Sequence, residues 1–249
     1  MHVGFKSDKG IIRDINEDAC FVLLPDKVYV LADGVGGGNS GEIASRTAVS
    51  EIANYVVEHP ISRMEDKYEI VGYLKKAIDK ANLKIFSMAR LYEENSGMAT
   101  TTVVVYVRKG KAYIANIGDS RVYLYRDGTL TQLTEDHTYV NSLVKAGILS
   151  KEEAEHDDRK NVIIKALGAE EEVEPDFFQV DLKEDDILIS CSDGLYDELT
   201  EEEIIETIEE QNENMSDLAK RLIQRANENG GHDNVTIISL KVTEEDINE

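Results

Sequence analysis

Residues 101–133 read TTVVVYVRKGKAYIANIGDSRVYLYRDGTLTQL, and this stretch sets the fold class. Three runs rich in β-branched and aromatic residues, at 101–107, 111–117 and 121–126, are separated by the turn residues RKG and GDS, and DG follows the third. Such runs predict strands, and an Asp-Gly pair between two of them predicts a tight hairpin. We therefore expect an antiparallel meander over residues 99–133.

Outward from this stretch, the chain carries further strand groups with pairs of helices between them. Further strands are expected at 19–24, 27–32, 176–181, 186–191 and 235–242. Helices are expected where apolar residues recur at three- and four-residue steps, at 42–58, 66–96, 201–210 and 215–229. We expect Gly97 to end the second of them. Strands in antiparallel groups, rather than alternating singly with helices, predict an α+β fold in layers.

The composition is that of a globular protein and excludes two classes of partner. The chain has 249 residues, 41% of them hydrophobic, and a net charge of −23, of which −19 falls within residues 135–210. Such an acidic surface repels nucleic acid and anionic lipid, so neither is an expected partner. No apolar run approaches the ~20 residues needed to cross a bilayer. We find no internal repeat or linker, and predict one domain over residues 1–249.

Two features of the sequence indicate a cytoplasmic protein. The first residues lack the cationic and apolar stretches of a signal peptide. Cys20 and Cys191 are too few to form a disulfide framework, which fits a reducing compartment.

The glycine-rich run DGVGGGNSG at 33–41 permits two interpretations. Residues 36–41 match the G-x-G-x-x-G pattern of dinucleotide-binding loops, between a predicted strand and a predicted helix. That interpretation also needs a second parallel strand after the helix, whereas here the helix leads into another helix. We therefore prefer a turn that presents the carboxylate of Asp33 at the end of a strand. A phosphate-binding P-loop is excluded because G-x-x-x-x-G-K-[ST] is absent.

Acidic residues recur at the ends of the predicted strands, mostly beside glycine. They are Asp33, Asp119 and Asp193 after strands, Asp233 before the last strand, and Glu17 and Asp18 before the first hairpin. Carboxylates gathered in one place without a cation repel each other. Oxygen ligands of this kind are those that Mg²⁺ and Mn²⁺ prefer. The sequence therefore predicts that these acids converge on a divalent-metal site, and Arg13, four residues before Glu17, offers a guanidinium that fits phosphate oxygens.

Six motifs in order along the chain resemble the metal-dependent protein phosphatase 2C family, and above all its compact bacterial members. They are RDINED at 13–18, DGVGG at 33–37, GMATT at 97–101, GDSR at 118–121, SDG at 192–194 and GHDNVT at 231–236. The resemblance extends from Val3 to Leu240. It implies a four-layer α-β-β-α sandwich, with two antiparallel sheets packed centrally and helix pairs outside.

The resemblance also implies which residues bind metal and what they do. Asp33 would bridge two Mn²⁺ or Mg²⁺ ions, with the Gly34 carbonyl on one ion and Asp193 and Asp233 on the other. A second group would act more weakly: Glu17 and Asp18 through bound waters, and Asp119, with Asp193, at a third ion. Residues 137–168 would form a flap beside the site that influences the choice of substrate.

The activity implied is hydrolysis of phosphoserine and phosphothreonine in proteins by a metal-activated water, with Asp33 and Arg13 as the catalytic residues. Position 35 departs from the pattern, since many eukaryotic relatives carry histidine where this chain has Val35. Asn39 and Ser40 stand where some bacterial members have a histidine. We therefore expect no side-chain general acid from this loop, and we interpret His137 as structural.

Three functions are compatible with this sequence. The first is the phosphatase just described, acting in the cytoplasm as a monomer on phosphorylated proteins and opposing a Ser/Thr kinase and its targets. The second is a catalytically silent relative that binds phosphoproteins, which the presence of Arg13 and of all six acids disfavours. The third is a phosphomonoesterase of the same fold that acts on small molecules.

Overall fold

The computed structural model describes residues 1–35 and 40–248. Its strands, in chain order, are β1 (His2–Asp8), β2 (Asp18–Leu23), β3 (Val28–Val35), β4 (Ala99–Thr100), β5 (Thr102–Arg108), β6 (Lys111–Ile117), β7 (Arg121–Arg126), β8 (Thr129–Gln132), β9 (Asp176–Asp181), β10 (Ile187–Cys191) and β11 (Val235–Lys241). Its α-helices are α1 (Gly41–Glu58), α2 (Lys67–Leu91), α3 (Tyr139–Lys145), α4 (Lys151–Glu155), α5 (Asp193–Tyr196), α6 (Glu201–Gln211), α7 (Met215–Asn229) and α8 (Glu244–Asn248).

The strands form two antiparallel sheets. The first sheet has the order β1-β11-β10-β7-β8, and the second has the order β2-β3-β5-β6-β9, with β4 beside β3. The dinucleotide interpretation is wrong at the level of topology, because β3 pairs antiparallel with both β2 and β5, and α1 leads into α2. Gly36, Gly37, Gly38 and Asn39, on which that interpretation rested, lie outside the described residues.

Three apolar clusters hold the layers together. Between the sheets, Tyr29 and Val105 of the second sheet pack with Leu124 and Ile238 of the first. A second cluster joins the outer face of the second sheet to α1 and α2, and a third joins the outer face of the first sheet to α5, α6 and α7. The predicted four-layer α-β-β-α sandwich is confirmed.

The predicted meander is divided between the two sheets. β5 and β6 pair in the second sheet, whereas β7 and β8 pair in the first. The chain crosses at Gly118, whose φ of +97° is strained for other residues and whose α-carbon leaves no room for a side chain against Thr101. Residues 118–120 therefore form a junction between the sheets, which a pattern of alternating residues does not reveal.

Some element boundaries also differ from the prediction. β3 continues through Asp33 to Val35, three residues beyond the predicted end, so Asp33 lies within the strand and not after it. α2 ends at Leu91, six residues before Gly97, because Tyr92 is extended and a short 3₁₀ turn follows it. β1 was not predicted, and it forms an edge strand on β11 in which only Gly4 is fully buried. No helix among the described residues combines the length and apolarity needed to cross a membrane.

Candidate active site

The site begins where β2 and β3 lie side by side. Asp18 and Asp33 are direct cross-strand partners in the antiparallel register. Gly34 donates its backbone N–H to the carbonyl oxygen of Glu17 at 3.1 Å, which extends the pairing by one residue. This register alone places Glu17, Asp18 and Asp33 together at one end of the second sheet.

A hydrogen-bonded bridge connects these acids to the first sheet. Ser192, the residue after β10, donates its hydroxyl to Oδ2 of Asp18 at 2.7 Å. The same hydroxyl accepts the backbone N–H of Thr236 on β11 at 2.9 Å. Asp18 and Ser192 are both buried, so the bridge crosses between the sheets away from solvent.

Asp193 and Asp233 come together because the turn after β10 lies directly on the segment before β11. A β-carbon at Gly194 would stand 2.1 Å from the carbonyl oxygen of Asn234, so only glycine permits this approach. The residues before Gly194 and Asn234 are the two predicted ligands. Their closeness is thus a consequence of one glycine.

Asp119 joins the site through the junction between the sheets. Asp33 donates its backbone N–H to the Thr101 hydroxyl at 3.0 Å, and that hydroxyl lies 2.7 Å from the hydroxyl of Ser120. Tyr196 donates its hydroxyl to the carbonyl oxygen of Asp119 at 3.0 Å. Asp119 is therefore tied to both Asp33 and the helix that starts at Asp193.

Gly41 shows that Glu17 and the Gly34 carbonyl face the same space. A β-carbon at Gly41 would lie 2.7 Å from Oε1 of Glu17 and 3.0 Å from the carbonyl oxygen of Gly34. Both oxygens thus point at the start of α1, next to Asp33. The structure brings together every acid that the sequence singled out.

Burial, and then the proximity of the acids, raise the pKa of several carboxyl groups. Loss of solvent and then the charges of Asp18 and Asp193 raise the pKa of Asp33 well above its usual value. The pKa of Asp193 is also raised well above its usual value, by loss of solvent and then by the charges of Asp119 and Asp233. Burial raises the pKa of Asp18 to about 6, and burial with Asp136 raises that of Asp119 to about 7. These carboxylates carry their full charge at low cost only with a cation among them.

The donor set fits hard divalent cations. Oδ1 of Asp18 and Oδ1 of Asp119 are buried and, among the described residues, have no hydrogen-bond partner. All the candidate donors are oxygens, the kind that Mg²⁺ and Mn²⁺ prefer. The side chains are not yet arranged as a cage: in residues 1–35 and 40–248, no three His, Cys, Asp or Glu side chains are grouped closely enough to hold one ion. Asp18 accepts the Ser192 hydrogen bond through Oδ2 only, which leaves its Oδ1 for a cation, whereas both carboxylate oxygens of Asp233 accept hydrogen bonds, from Asn234 and from Arg13.

Arg13 is half-exposed at the edge of this group of acids. Its Nη2 donates to Oδ2 of Asp233 at 2.6 Å, and its side chain is 48% exposed. The guanidinium thus has N–H groups available to an anion that enters from solvent.

Comparison with known proteins identifies the family. A family model described as protein phosphatase 2C matches residues 13–236. The chain belongs to the protein phosphatase 2C family. It is 39% identical over 244 residues to the serine/threonine phosphatase stp of Listeria welshimeri. This alignment covers 97% of this chain and 96% of that protein.

Solved structures of this family share the fold over nearly the whole chain. The serine/threonine phosphatase of S. agalactiae superposes with a TM-score of 0.90 at 33% identity, covering 97% of this chain and 99% of that one. The catalytic domain of the serine/threonine phosphatase PstP, in complex with two manganese ions, superposes with a TM-score of 0.84 at 33% identity, covering 98% of each chain. Divalent manganese is thus a metal that a protein phosphatase 2C domain of this shape holds.

His137, at the start of the predicted flap of this protein phosphatase 2C chain, has both ring nitrogens engaged. Nδ1 accepts the backbone N–H of Gly118 at 3.0 Å, and Nε2 lies 3.2 Å from Asp176. Burial, assisted by the charge of Lys165, lowers the pKa of His137 below its usual value. The ring therefore anchors the junction that carries Asp119.

Asn234 is a residue whose role the sequence did not indicate. Its side-chain Nδ2 lies 2.9 Å from the carbonyl oxygens of both Lys9 and Ile15, and its Oδ1 accepts the N–H of Glu17 at 2.8 Å. The residue is only 4% exposed. One buried amide thus fastens the whole Arg13 segment to the strand that follows Asp233. An Asp-Asn pair in a sequence cannot disclose this, because the three partners are more than 200 residues away.

Replacing Asn234 by alanine is expected to lower the free energy of unfolding by about 2–4 kcal/mol, because buried backbone groups lose their partners. Urea denaturation measures the change. The matched control is Asn229→Ala, which removes an exposed side chain that donates to Glu198 and should cost less than about 1 kcal/mol. Equal losses in the two variants would contradict the role given to Asn234.

Proposed function

We propose that this protein hydrolyses phosphoserine and phosphothreonine in proteins, in a reaction that requires Mn²⁺ or Mg²⁺. The observation that carries the proposal is the convergence of six acids from both sheets beside an arginine that reaches Asp233. The family membership and the serine/threonine phosphatase names of similar proteins support it. Cations bound among these acids would offset the repulsion between their carboxylates, which explains why the fold can gather them in one place.

The chain's own residues would divide the work as follows. The principal pair of cations would be held by Asp33, the Gly34 carbonyl, Asp193 and Asp233. Glu17 and Asp18 would act through water, and Asp119 with Asp193 would hold a third, weaker ion. When bound, the cations supply the positive charge that activates water and stabilises the phosphoryl group during transfer.

Arg13 orients the phosphate ester. Its forked guanidinium matches two phosphate oxygens and neutralises charge that develops on them. Only its Nη2 is engaged with Asp233, so the other N–H groups of the guanidinium are available to the substrate. The Val35 side chain has no ionisable proton, and both ring nitrogens of His137 are engaged, with Gly118 and Asp176, so the proton for the departing serine or threonine oxygen comes from water in the site.

Metal dependence is tested by hydrolysis of a phosphothreonine peptide. We expect no turnover in EDTA, recovery with Mn²⁺ or Mg²⁺, and near-total loss for Asp193→Asn. Turnover that persists in EDTA would overturn the proposal. Binding of metal and phosphopeptide without turnover would instead favour a silent phosphoprotein-binding relative. A higher kcat/KM for p-nitrophenyl phosphate than for any phosphopeptide would favour a small-molecule phosphomonoesterase.

Replacing Arg13 by alanine is expected to raise KM for the phosphopeptide by about 10- to 100-fold, with a smaller change in kcat, since hydrogen bonds to charged groups contribute about 1.5–3 kcal/mol. Steady-state kinetics with saturating Mn²⁺ measure both constants. Arg13→Lys keeps the charge but not the fork, and should lie between wild type and alanine. An unchanged KM in Arg13→Ala would remove Arg13 from substrate binding.

The wider setting of this activity is also a proposal. The enzyme would oppose a Ser/Thr kinase by acting on that kinase's targets in the cytoplasm. It would act as a monomer, with one catalytic domain that includes a flap at 137–168. Both Cys20 and Cys191 are unbridged, which supports a reducing compartment. A net charge of −23 supports a monomer, because copies repel each other, and disfavours nucleic acid as a partner.

A further inference from the structure

The segment that carries Arg13 exposes an unusual amount of apolar surface. Ile11, Ile12 and Ile15 are 62%, 63% and 53% exposed, and all three lie within two residues of Arg13. We call these three side chains the isoleucine rim. Single exposed apolar residues are common on protein surfaces, whereas several exposed apolar residues on one short segment can together form an interaction surface.

The exposure of the rim is not the result of a loose segment. Ile11 and Ile12 both donate their backbone N–H to the carbonyl oxygen of Gly231, at 2.8 and 3.1 Å. The carbonyl of Ile15 lies 2.9 Å from the buried amide of Asn234. The backbone is thus held at both ends while the side chains face solvent, which lowers the entropy that a partner must offset when it binds.

The rim is continuous with the proposed phosphate site. Ile11 packs so closely on Gly231 that a β-carbon there would lie 2.7 Å from its Cγ1, two residues before Asp233. On its other side, Ile11 lines a groove of about 470 Å³ between β1 and α7, in which every other lining side chain except Ile223 is charged or an amide. Ile11 therefore lies between this groove and the segment that carries Asp233, the hydrogen-bond partner of Arg13.

We propose that the isoleucine rim binds apolar side chains adjacent to the phosphorylated residue, so that the enzyme selects phosphoproteins with apolar neighbours at the phosphosite. The inference rests on the proposed function. Burial of apolar side chains against the rim provides the preference. The protein's charge of −23 adds repulsion against phosphosites with acidic neighbours.

Two phosphothreonine peptides that differ only in the neighbours of the phosphothreonine, leucine in one and serine in the other, test the proposal. With wild type and Mn²⁺, kcat/KM should be about 10-fold higher for the leucine peptide, as expected for one apolar contact. The ratio should fall toward one in Ile12→Ser and in the triple variant Ile11→Ser, Ile12→Ser, Ile15→Ser. It should stay at the wild-type value in Leu91→Ser, which alters an apolar residue at the end of α2 that is even more exposed than the rim.

The outcomes separate this inference from the proposed function. Equal kcat/KM for the two peptides in wild type overturns the rim as a selective surface and leaves the phosphatase activity in place. A leucine preference that survives in the triple variant overturns it as well. Failure of wild type to hydrolyse either peptide overturns the proposed function, and the substrate role of the rim with it. Because the comparison in wild type needs no variant, it does not depend on how the variants fold.

Discussion

Replacing Asp33 by asparagine will reduce phosphopeptide turnover by at least about 100-fold, and will raise the melting temperature of the metal-free protein. The first effect follows because Asp33 is central to the acids, and even partners of metal ligands change activity by about 10- to 100-fold. The second follows because burial, and then repulsion by Asp18, Asp193, Asp119 and Asp233, raise the pKa of Asp33 and so make its charged form costly. Without a cation, the neutral amide removes that repulsion.

Two measurements on one variant check this prediction: kcat/KM with Mn²⁺, and thermal denaturation in EDTA. The matched control is Asp127→Asn, at the exposed turn between β7 and β8, where asparagine tolerates the local φ of +51°. It should change neither quantity appreciably. A lower melting temperature for Asp33→Asn in EDTA would show that the carboxylate stabilises the metal-free fold, contrary to the electrostatics of the site.

Replacing Gly4 by alanine will destabilise the protein by about 3 kcal/mol or more. A β-carbon at Gly4 would stand 2.0 Å from both the carbonyl carbon and oxygen of Met215, and 2.3 Å from the backbone nitrogen of Ser216. These are backbone atoms at the start of α7, so no side chain can rotate away. Relief requires β1 and α7 to separate, and overpacking of this kind usually costs about 1–3 kcal/mol, and sometimes more.

Urea denaturation of Gly4→Ala measures this loss, and Gly72→Ala gives the matched control. Gly72 lies within α2 and has no atom near the position of an added β-carbon. Alanine there should stabilise the protein by about 0.5–1 kcal/mol, since it favours the helix. The same change from glycine to alanine is thus expected to lower the free energy of unfolding at position 4 and to raise it at position 72. A mild effect at Gly4 would contradict the tight packing of β1 on α7.

The sequence predicted most elements because their patterns are local. Strands β6 and β7 have the predicted bounds, as does α7, and α1 differs by one residue. The family and its fold were predicted from motifs at strand ends, where an acid beside glycine is distinctive. The acids were identifiable in the same way.

The arrangement of the strands into sheets was not predictable from these patterns. β6 and β7 have the same alternation, yet they belong to different sheets, because the turn at Gly118 decides their separation. β1 was missed because its own residues are mostly polar or exposed, and its stability comes from pairing with β11. The role of Asn234 was missed for the same reason: its partners become neighbours only after the sheets have formed.

The pairing of the first strand with the last has a consequence for synthesis. β1 at His2–Asp8 forms its ladder with Val235–Lys241, and Asp233 precedes that strand directly. A nascent chain on the ribosome therefore contains Arg13 and Asp33 long before it contains Asp233 and β11, which complete the site. The protein cannot act on phosphoproteins until translation has passed β11, and a protease that removes this strand abolishes catalysis and leaves β1 without the strand that it pairs with.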